Sequence, residues 1–244
     1  MDWYKNWFNS PFYKILYENR DDVEAREFIE TLLAYLQPLP ESTMLDIACG
    51  EGRYAKQLAG HGFDVTGIDI SHERIELAKA NETENLRFFV QDMRLPFYVN
   101  YFDYAFNFFT SFGYFSHGRN HALAARSFGA GLKNNGILVI DYLNYEQVVG
   151  NLITVETIER GSYTFHIKRS LELGHIVKHI SFVDADNRSR EYTERVAAFA
   201  LADFIKMFRA AEMHLVTAFG DYKLNPYEPL ESPRLIMIFK KKHV

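Results

Sequence analysis

The chain contains a single cysteine, Cys49, among 244 residues. With no second thiol to pair with, a disulfide-stapled module and a cysteine-rich zinc site are both excluded, and a reduced, cytoplasmic setting is expected. Basic residues are not in excess: 27 Lys and Arg stand against 32 Asp and Glu, a formal net charge of −5. Neutralising a phosphate backbone demands more positive charge than that, so no nucleic-acid partner is expected. Long apolar runs are also missing. The nearly uncharged, apolar stretch over residues 196–202 is far below the roughly 18 residues that suggest a membrane span, and the longest run without a charged residue, 104–118, is broken by polar side chains, so no membrane partner is expected either. Residues 1–8 are aromatic and interrupted by charge, without the basic and apolar regions of a secretion signal. No repeat, low-complexity tract or Pro/Gly linker divides the chain. What is present is ample apolar material, 48% of residues, enough for a full core in one domain with an elaboration.

The patterning changes twice along the chain. Ser10-Pro11 has the form of a helix cap and first turn, and Asp21 to Glu24 has capping-box-like spacing ahead of Phe28, Ile29, Leu32, Leu33 and Leu36, which share one helical face. Strands and helices then alternate: strands over residues 44–48, 63–68, 86–90, 101–109 and 137–140, helices over 52–59, 72–80 and 121–132. Such alternation predicts a parallel sheet with helices on both faces. After Asp141 the apolar period drops to two, around turn signals at Gly161-Ser162, Gly174 and Asp184 to Asn187, which predicts an antiparallel insertion over residues 151–200. Its seven basic residues balance seven acidic ones, so it is no nucleic-acid platform. A helix over 203–212 and strands over 215–219 and 235–239 follow.

The first strand runs into Asp46-Ile47-Ala48-Cys49-Gly50-Glu51-Gly52-Arg53, a glycine bend at the carboxyl edge of the predicted sheet, where open α/β folds bind ligands. Gly50 to Ala55 satisfies G-x-G-x-x-A, and Asp69 lies where a ribose-binding acid belongs, so a dinucleotide fold has to be weighed. Two features favour a sulfonium donor instead. Asp46 puts a carboxylate where a pyrophosphate would be repelled and an amino-acid ammonium attracted. Asp46, Asp69 and Asp92 also recur every 23 residues, each near the end of a successive strand, so three acids line one rim.

Through Asp46 to Gly52, Val65 to Ser71, Gln91-Asp92-Met93 and Phe102-Asp103, the sequence resembles the class I S-adenosylmethionine-dependent methyltransferases. The resemblance implies a Rossmann-like α/β fold with a seven-stranded sheet, N-terminal helices and an antiparallel β insertion after the fifth strand. It also implies a helical lid over 1–40, a cofactor-binding domain over 41–150 and 201–244, and an insertion over 151–200 above the acceptor. By the same implication, Asp46 with the Ala48, Cys49, Gly50 and Gly52 backbone holds the methionine part and Asp69 with Ile70 the ribose. Gln91, Asp92 and Met93 border adenine, and Asn107 completes the cofactor set. Residues 12–21 resemble a subgroup in which a helix before the sheet lids the cofactor; there Tyr17 and Arg20 would face the ligand.

Methyl transfer from a sulfonium is an in-line displacement in which alignment and water exclusion do most of the work, so no triad is expected. The stretch Asn107 to Phe115 departs from the Asn/Asp-Pro-Pro-Tyr/Phe motif of enzymes that methylate planar amines, and the lone cysteine lies in the glycine bend, which closes the cytosine C5 route. No metal is expected, because no partner acids stand beside Asp141 and no histidine pair of ligand spacing stands with adjoining acids. His117 and Tyr114 are the candidate catalytic residues, and Phe109, Tyr142, Asn144 and Tyr145 the candidate acceptor contacts. The insertion resembles in placement the β lid of amino-sugar N,N-dimethyltransferases and, more loosely, that of glycine N-methyltransferase, which implies a small-molecule acceptor, methylated at N or O, and leaves a homodimer open. The rivals are a nicotinamide-dependent oxidoreductase, against which stand Asp46 and the absence of any Tyr-x-x-x-Lys pair, and a non-catalytic cofactor-binding module.

Overall fold

The computed structural model describes residues 3–17 and 22–242. In chain order, α1 (Trp3–Phe8), α2 (Pro11–Leu16) and α3 (Asp22–Leu36) precede β1 (Thr43–Ile47), α4 (Arg53–Gly60), β2 (Asp64–Asp69), α5 (His72–Lys79) and β3 (Leu86–Val90). Then come β4 (Phe102–Asn107), α6 (Gly118–Gly131), β5 (Leu132–Leu143) and a short α7 (Tyr145–Gly150). The antiparallel strands β6 (Val155–Arg160), β7 (Tyr163–Glu172), β8 (His175–Val183) and β9 (Ser189–Ala197) follow, and after them α8 (Leu201–Arg209), β10 (Met213–Phe219) and β11 (Arg234–Lys241).

The main sheet has seven strands in the order β10-β11-β5-β4-β1-β2-β3. Its strands β5 to β3 pair in parallel, whereas β11 is antiparallel to both β5 and β10. Both faces are covered, which is why β11 reads as a continuous apolar run and why four consecutive residues of β1 are buried, Asp46 among them. On one face Ala124, Phe128, Phe204 and Phe208 of α6 and α8 meet Leu138, Ile140 and Phe239; on the other, Phe28, Ile29, Tyr54, Leu58 and Ile75 of α3 to α5 meet Met44, Val65 and Phe106. This is the fold class expected from the sequence. β5 starts five residues before its predicted limit, because Leu132 already pairs with Phe102 and a register shift between Phe102 and Tyr104 absorbs the extra residues.

The insertion forms a separate four-stranded sheet, β6-β7-β8-β9. Its apolar face, with Phe165, Ile167, Ile180 and Phe182, packs on Trp7 and Leu16, so α1 and α2 share a third core with it. The α3 helix does not join them and lies in the core of the main sheet, so the described residues before β1 are divided between two bodies of packing. Two bonds tie the inserted sheet to the loop after β4 and to β5: the Ala197 N–H donates to the Gly113 carbonyl at 2.9 Å, and the Tyr142 hydroxyl donates to the Ala197 carbonyl at 2.6 Å.

Candidate active site

Strand order reverses at β1, which has β2 on one side and β4 on the other. A crevice must open at the carboxyl ends of those strands, and a cavity of about 1010 Å³ is found there. Its floor is made by the ends of β1 to β4, and its roof by Trp3, Phe8, Tyr13 and Tyr17 of the α1–α2 segment and by Glu194 and Val196 of β9.

The bend after β1 turns through three left-handed residues, Ala48 at φ 61°, Gly50 at 58° and Gly52 at 80°. Gly52 is required twice over: its φ suits glycine, and a Cβ there would come within 2.4 Å of the Phe88 ring. Asp69 staples the bend to the next helix, since one carboxylate oxygen accepts the Gly50 N–H at 2.9 Å and the other the Ser71 N–H at 2.8 Å. Burial raises the Asp69 carboxyl above its ordinary value against the pull of those two N–H groups.

Asp46 lies beside it on the cavity floor, only 1% exposed. Burial pushes its carboxyl up to about 7; the Ala55 N–H opposes the rise, nearby Asp69 adds to it and Arg53 again opposes it. Its Oδ2 is buried with no hydrogen-bond partner among the described residues. An unpaired buried carboxylate oxygen in a cavity wall is costly unless a donor arrives from outside the chain. A ligand ammonium is such a donor.

Asp92, at the β3 end, is gripped by Arg94, whose Nε lies 3.0 Å from both carboxylate oxygens and whose guanidinium stands 5.1 Å from the Phe115 ring centre. Gln91 is bound through its N–H to the Asp69 carbonyl at 2.8 Å, which sets Gln91, Asp92 and Met93 along the same wall as Asp69. The roof is fastened down by Arg74, which donates to the Phe8 carbonyl from Nε at 3.0 Å and Nη2 at 2.8 Å, and by a Lys14–Glu51 ion pair at 2.6 Å. It is joined to the inserted sheet through Glu194, which accepts from Trp7 Nε1 at 2.6 Å and from the Tyr17 hydroxyl at 2.7 Å, with Lys178 also donating to that hydroxyl.

The cavity wall therefore brings together Tyr17, Asp46, Ala48, Cys49, Gly50, Asp69, Ile70, Gln91, Asp92, Met93, Phe109 and Tyr114 from the expected set. Arg20 lies outside the described residues. Six others are placed elsewhere. Gly52 turns the chain into α4 behind the bend and does not line the cavity. Asn107 is fully buried, donating across the sheet to the Ile47 carbonyl at 2.9 Å. Tyr142 is buried with its hydroxyl on the Ala197 carbonyl, and Asn144 is consumed by the Pro229 and Ser232 carbonyls at 2.8 and 2.7 Å. Tyr145 opens α7 away from the wall, and His117 is an exposed residue ahead of α6. The three buried polar side chains among these, Asn107, Tyr142 and Asn144, each donate to an internal carbonyl rather than to a ligand, although Asn107 Oδ1 has no hydrogen-bond partner among the described residues. Conversely, Arg53, Arg74, Glu194 and Arg234 line the cavity without having been singled out in the sequence. Arg53 carried a signal in its place inside the glycine bend; Arg234 carried none.

Residues 44–136, from β1 into β5, match the model of the methyltransferase domain family. Over those residues the chain is similar to that family. The chain is also similar to a ubiquinone biosynthesis O-methyltransferase of Rickettsia felis, 30% identical across 80 residues, 33% of each chain. Such matches span only 24% to 34% of the curated relatives' own lengths. Solved structures resemble the whole chain in fold. An S-adenosylmethionine-dependent methyltransferase from Clostridium acetobutylicum superposes with a TM-score of 0.79 at 17% identity, covering 94% of this chain and 96% of that one. CalS10 from Micromonospora echinaspora, an amino pentose methyltransferase with S-adenosylmethionine bound, gives a TM-score of 0.70 at 17% identity over 96% and 98%. The chain thus shares the fold of these structures, with the inserted sheet and the N-terminal helices within the superposed region.

Proposed function

We propose that the protein transfers a methyl group from S-adenosylmethionine to a nitrogen or oxygen of a small molecule held beneath the inserted sheet. The observation that carries this reading is the buried, unpartnered Oδ2 of Asp46 on the cavity floor, beside a glycine bend at the point where strand order reverses. A nicotinamide dinucleotide would bring a pyrophosphate to that carboxylate; an amino-acid ammonium is what it attracts. The methyltransferase domain match and the structural neighbours support the same donor.

When bound, the donor supplies an electrophilic methyl on a sulfonium with a good leaving group. The chain's part is to place it. Asp46 holds the ammonium, Asp69 takes the ribose hydroxyls, and Gln91, Asp92 and Met93 border the adenine. Tyr17, Phe109 and Tyr114 put aromatic rings on the wall near the reacting centre, where ring faces attract positive charge and exclude water. Alignment alone is worth roughly 7 to 11 kcal/mol of barrier, so a base is required only for an acceptor that must shed a proton. The acceptor enters between Tyr114 and the inserted sheet. CalS10, whose described acceptor is an amino pentose, supports a small, polar molecule in that position.

Thermal shift decides the donor. Adenosylhomocysteine at a hundred times its dissociation constant stabilises by about 2.7 kcal/mol, a midpoint rise of a few degrees for a chain of this size. A shift with NADH and none with adenosylhomocysteine would reject the proposal; binding of adenosylhomocysteine without turnover of any acceptor in a labelled-donor screen of metabolites would leave a binding module.

A further inference from the structure

We propose that Arg234 and Arg53, which meet at the Phe109 ring, form a subsite for a carboxylate. Arg234 opens β11, far in sequence from the residues that shape the rest of the floor, and its guanidinium reaches the cavity wall. Two of its three nitrogens are committed: Nε donates to Asp141 Oδ1 at 2.8 Å, and Nη2 lies 2.6 Å from the same oxygen and 3.0 Å from Thr110 Oγ1. Nη1 has no bond among the described residues. Asp141, wholly buried, is otherwise occupied by the Phe109 N–H at 2.8 Å and the Tyr222 hydroxyl at 3.1 Å, so it offers nothing to a ligand and holds the guanidinium in one orientation. Arg53 contributes the second cation. Its guanidinium carbon stands 6.0 Å from the Phe109 ring centre, against 5.6 Å for that of Arg234, and the charges of both act on the neighbouring Tyr54.

Arginine forks suit carboxylate and phosphate alike, but two acids narrow the choice. Asp46 lines this cavity and Asp141 is buried against Arg234, and the two would repel a dianion far more than a single negative charge. Asp46 also places an ammonium acceptor within electrostatic reach of Arg53, a pairing of signs that matches an α-amino acid head. The carboxylate could come from the amino-acid end of the methyl donor, in which case the subsite rests on the proposed function, or from the acceptor, in which case it does not.

Calorimetry on the full chain and on the variants Arg53→Gln and Arg234→Lys separates these cases; the lysine keeps a cation opposite Asp141 so that the fold is preserved. Two ligands are compared, S-adenosylhomocysteine and its decarboxylated analogue, and benzoate is titrated into protein with and without adenosylhomocysteine. If the donor carboxylate is held, the wild type prefers adenosylhomocysteine by about ten- to a hundred-fold, the reach of a charge-assisted hydrogen bond, and each variant brings the ratio close to one. A ratio is insensitive to damage shared by both ligands. If the acceptor carboxylate is held, the ratio stays put while benzoate binds the loaded wild type and not the variants. A ratio and a benzoate affinity both indifferent to the two substitutions would overturn the subsite. Failure of every adenosyl ligand to bind the wild type would instead reject the donor, with benzoate still judging the arginines.

Discussion

At the scale of single residues, Asp46 makes the clearest forecast. Its folded value of about 7 lies above the ordinary 3.8, so between those limits the folded chain binds a proton that the unfolded chain has released. Stability must therefore fall as pH rises from about 4 to about 7, by an amount of the order of 4 kcal/mol at 1.36 kcal/mol per unit. The Asp46→Asn variant should lose that slope in chemical denaturation run at several pH values. An ammonium bound at Asp46 favours the ionised carboxylate, so adenosylhomocysteine should bind more tightly as pH rises toward 7 and should release a proton near pH 6. Calorimetry in buffers of different ionisation enthalpy reads this directly, and a proton count of zero would remove Asp46 from the ammonium site. Replacing Asp69 by Ala should weaken the same ligand by roughly 1.5 to 3 kcal/mol, the worth of hydrogen bonds to a charged group; an unchanged affinity would take Asp69 out of the ribose site. These acids were legible in the sequence because each stands at the end of a strand whose neighbours are apolar. Asn107, Tyr142 and Asn144 have the same look, yet they donate to carbonyls at least 55 positions away in sequence, and nothing local separates a side chain aimed at a ligand from one aimed at the backbone.

At the scale of elements, the strand-helix alternation exposed five parallel strands and their crossings, and period-two patterning exposed the insertion. The allocation of the N-terminal helices was hidden. α1 and α2 have six residues each, too short to stand alone, and are held by contacts made with side chains of other elements. The fastening at Arg74, whose side chain reaches the Phe8 carbonyl from α5, is one such contact. Arg74→Ala should leave the melting of the main sheet nearly intact. Backbone amides of residues 3–16 should exchange faster, and adenosylhomocysteine should dissociate several-fold sooner as the roof loosens. Exchange in that segment equal to the wild type would show that the ion pair of Lys14 with Glu51 and the aromatic packing suffice without it.

At the scale of the whole molecule, three cores divide the labour: two sandwich the parallel sheet, and the third joins the roof helices to the inserted sheet. Trp7 is the hinge of the third, 1% exposed and bonded to Glu194 across 187 positions of sequence. Trp7→Ala should cost about 3 to 5 kcal/mol in that unit. Amide protection should be lost from α1, α2 and β6 to β9 together and be retained in β1 to β5; loss spread evenly over both sheets would mean that the cores are one cooperative body. The same separation has a bearing on biosynthesis. A ribosome adding about 5 to 20 residues per second leaves the tryptophan-rich leading segment without its mate for on the order of ten to forty seconds. Until β9 emerges, that segment is a nascent-chain target for holdase chaperones, and ribosome-bound chains halted before residue 190 should recruit them where the finished protein does not.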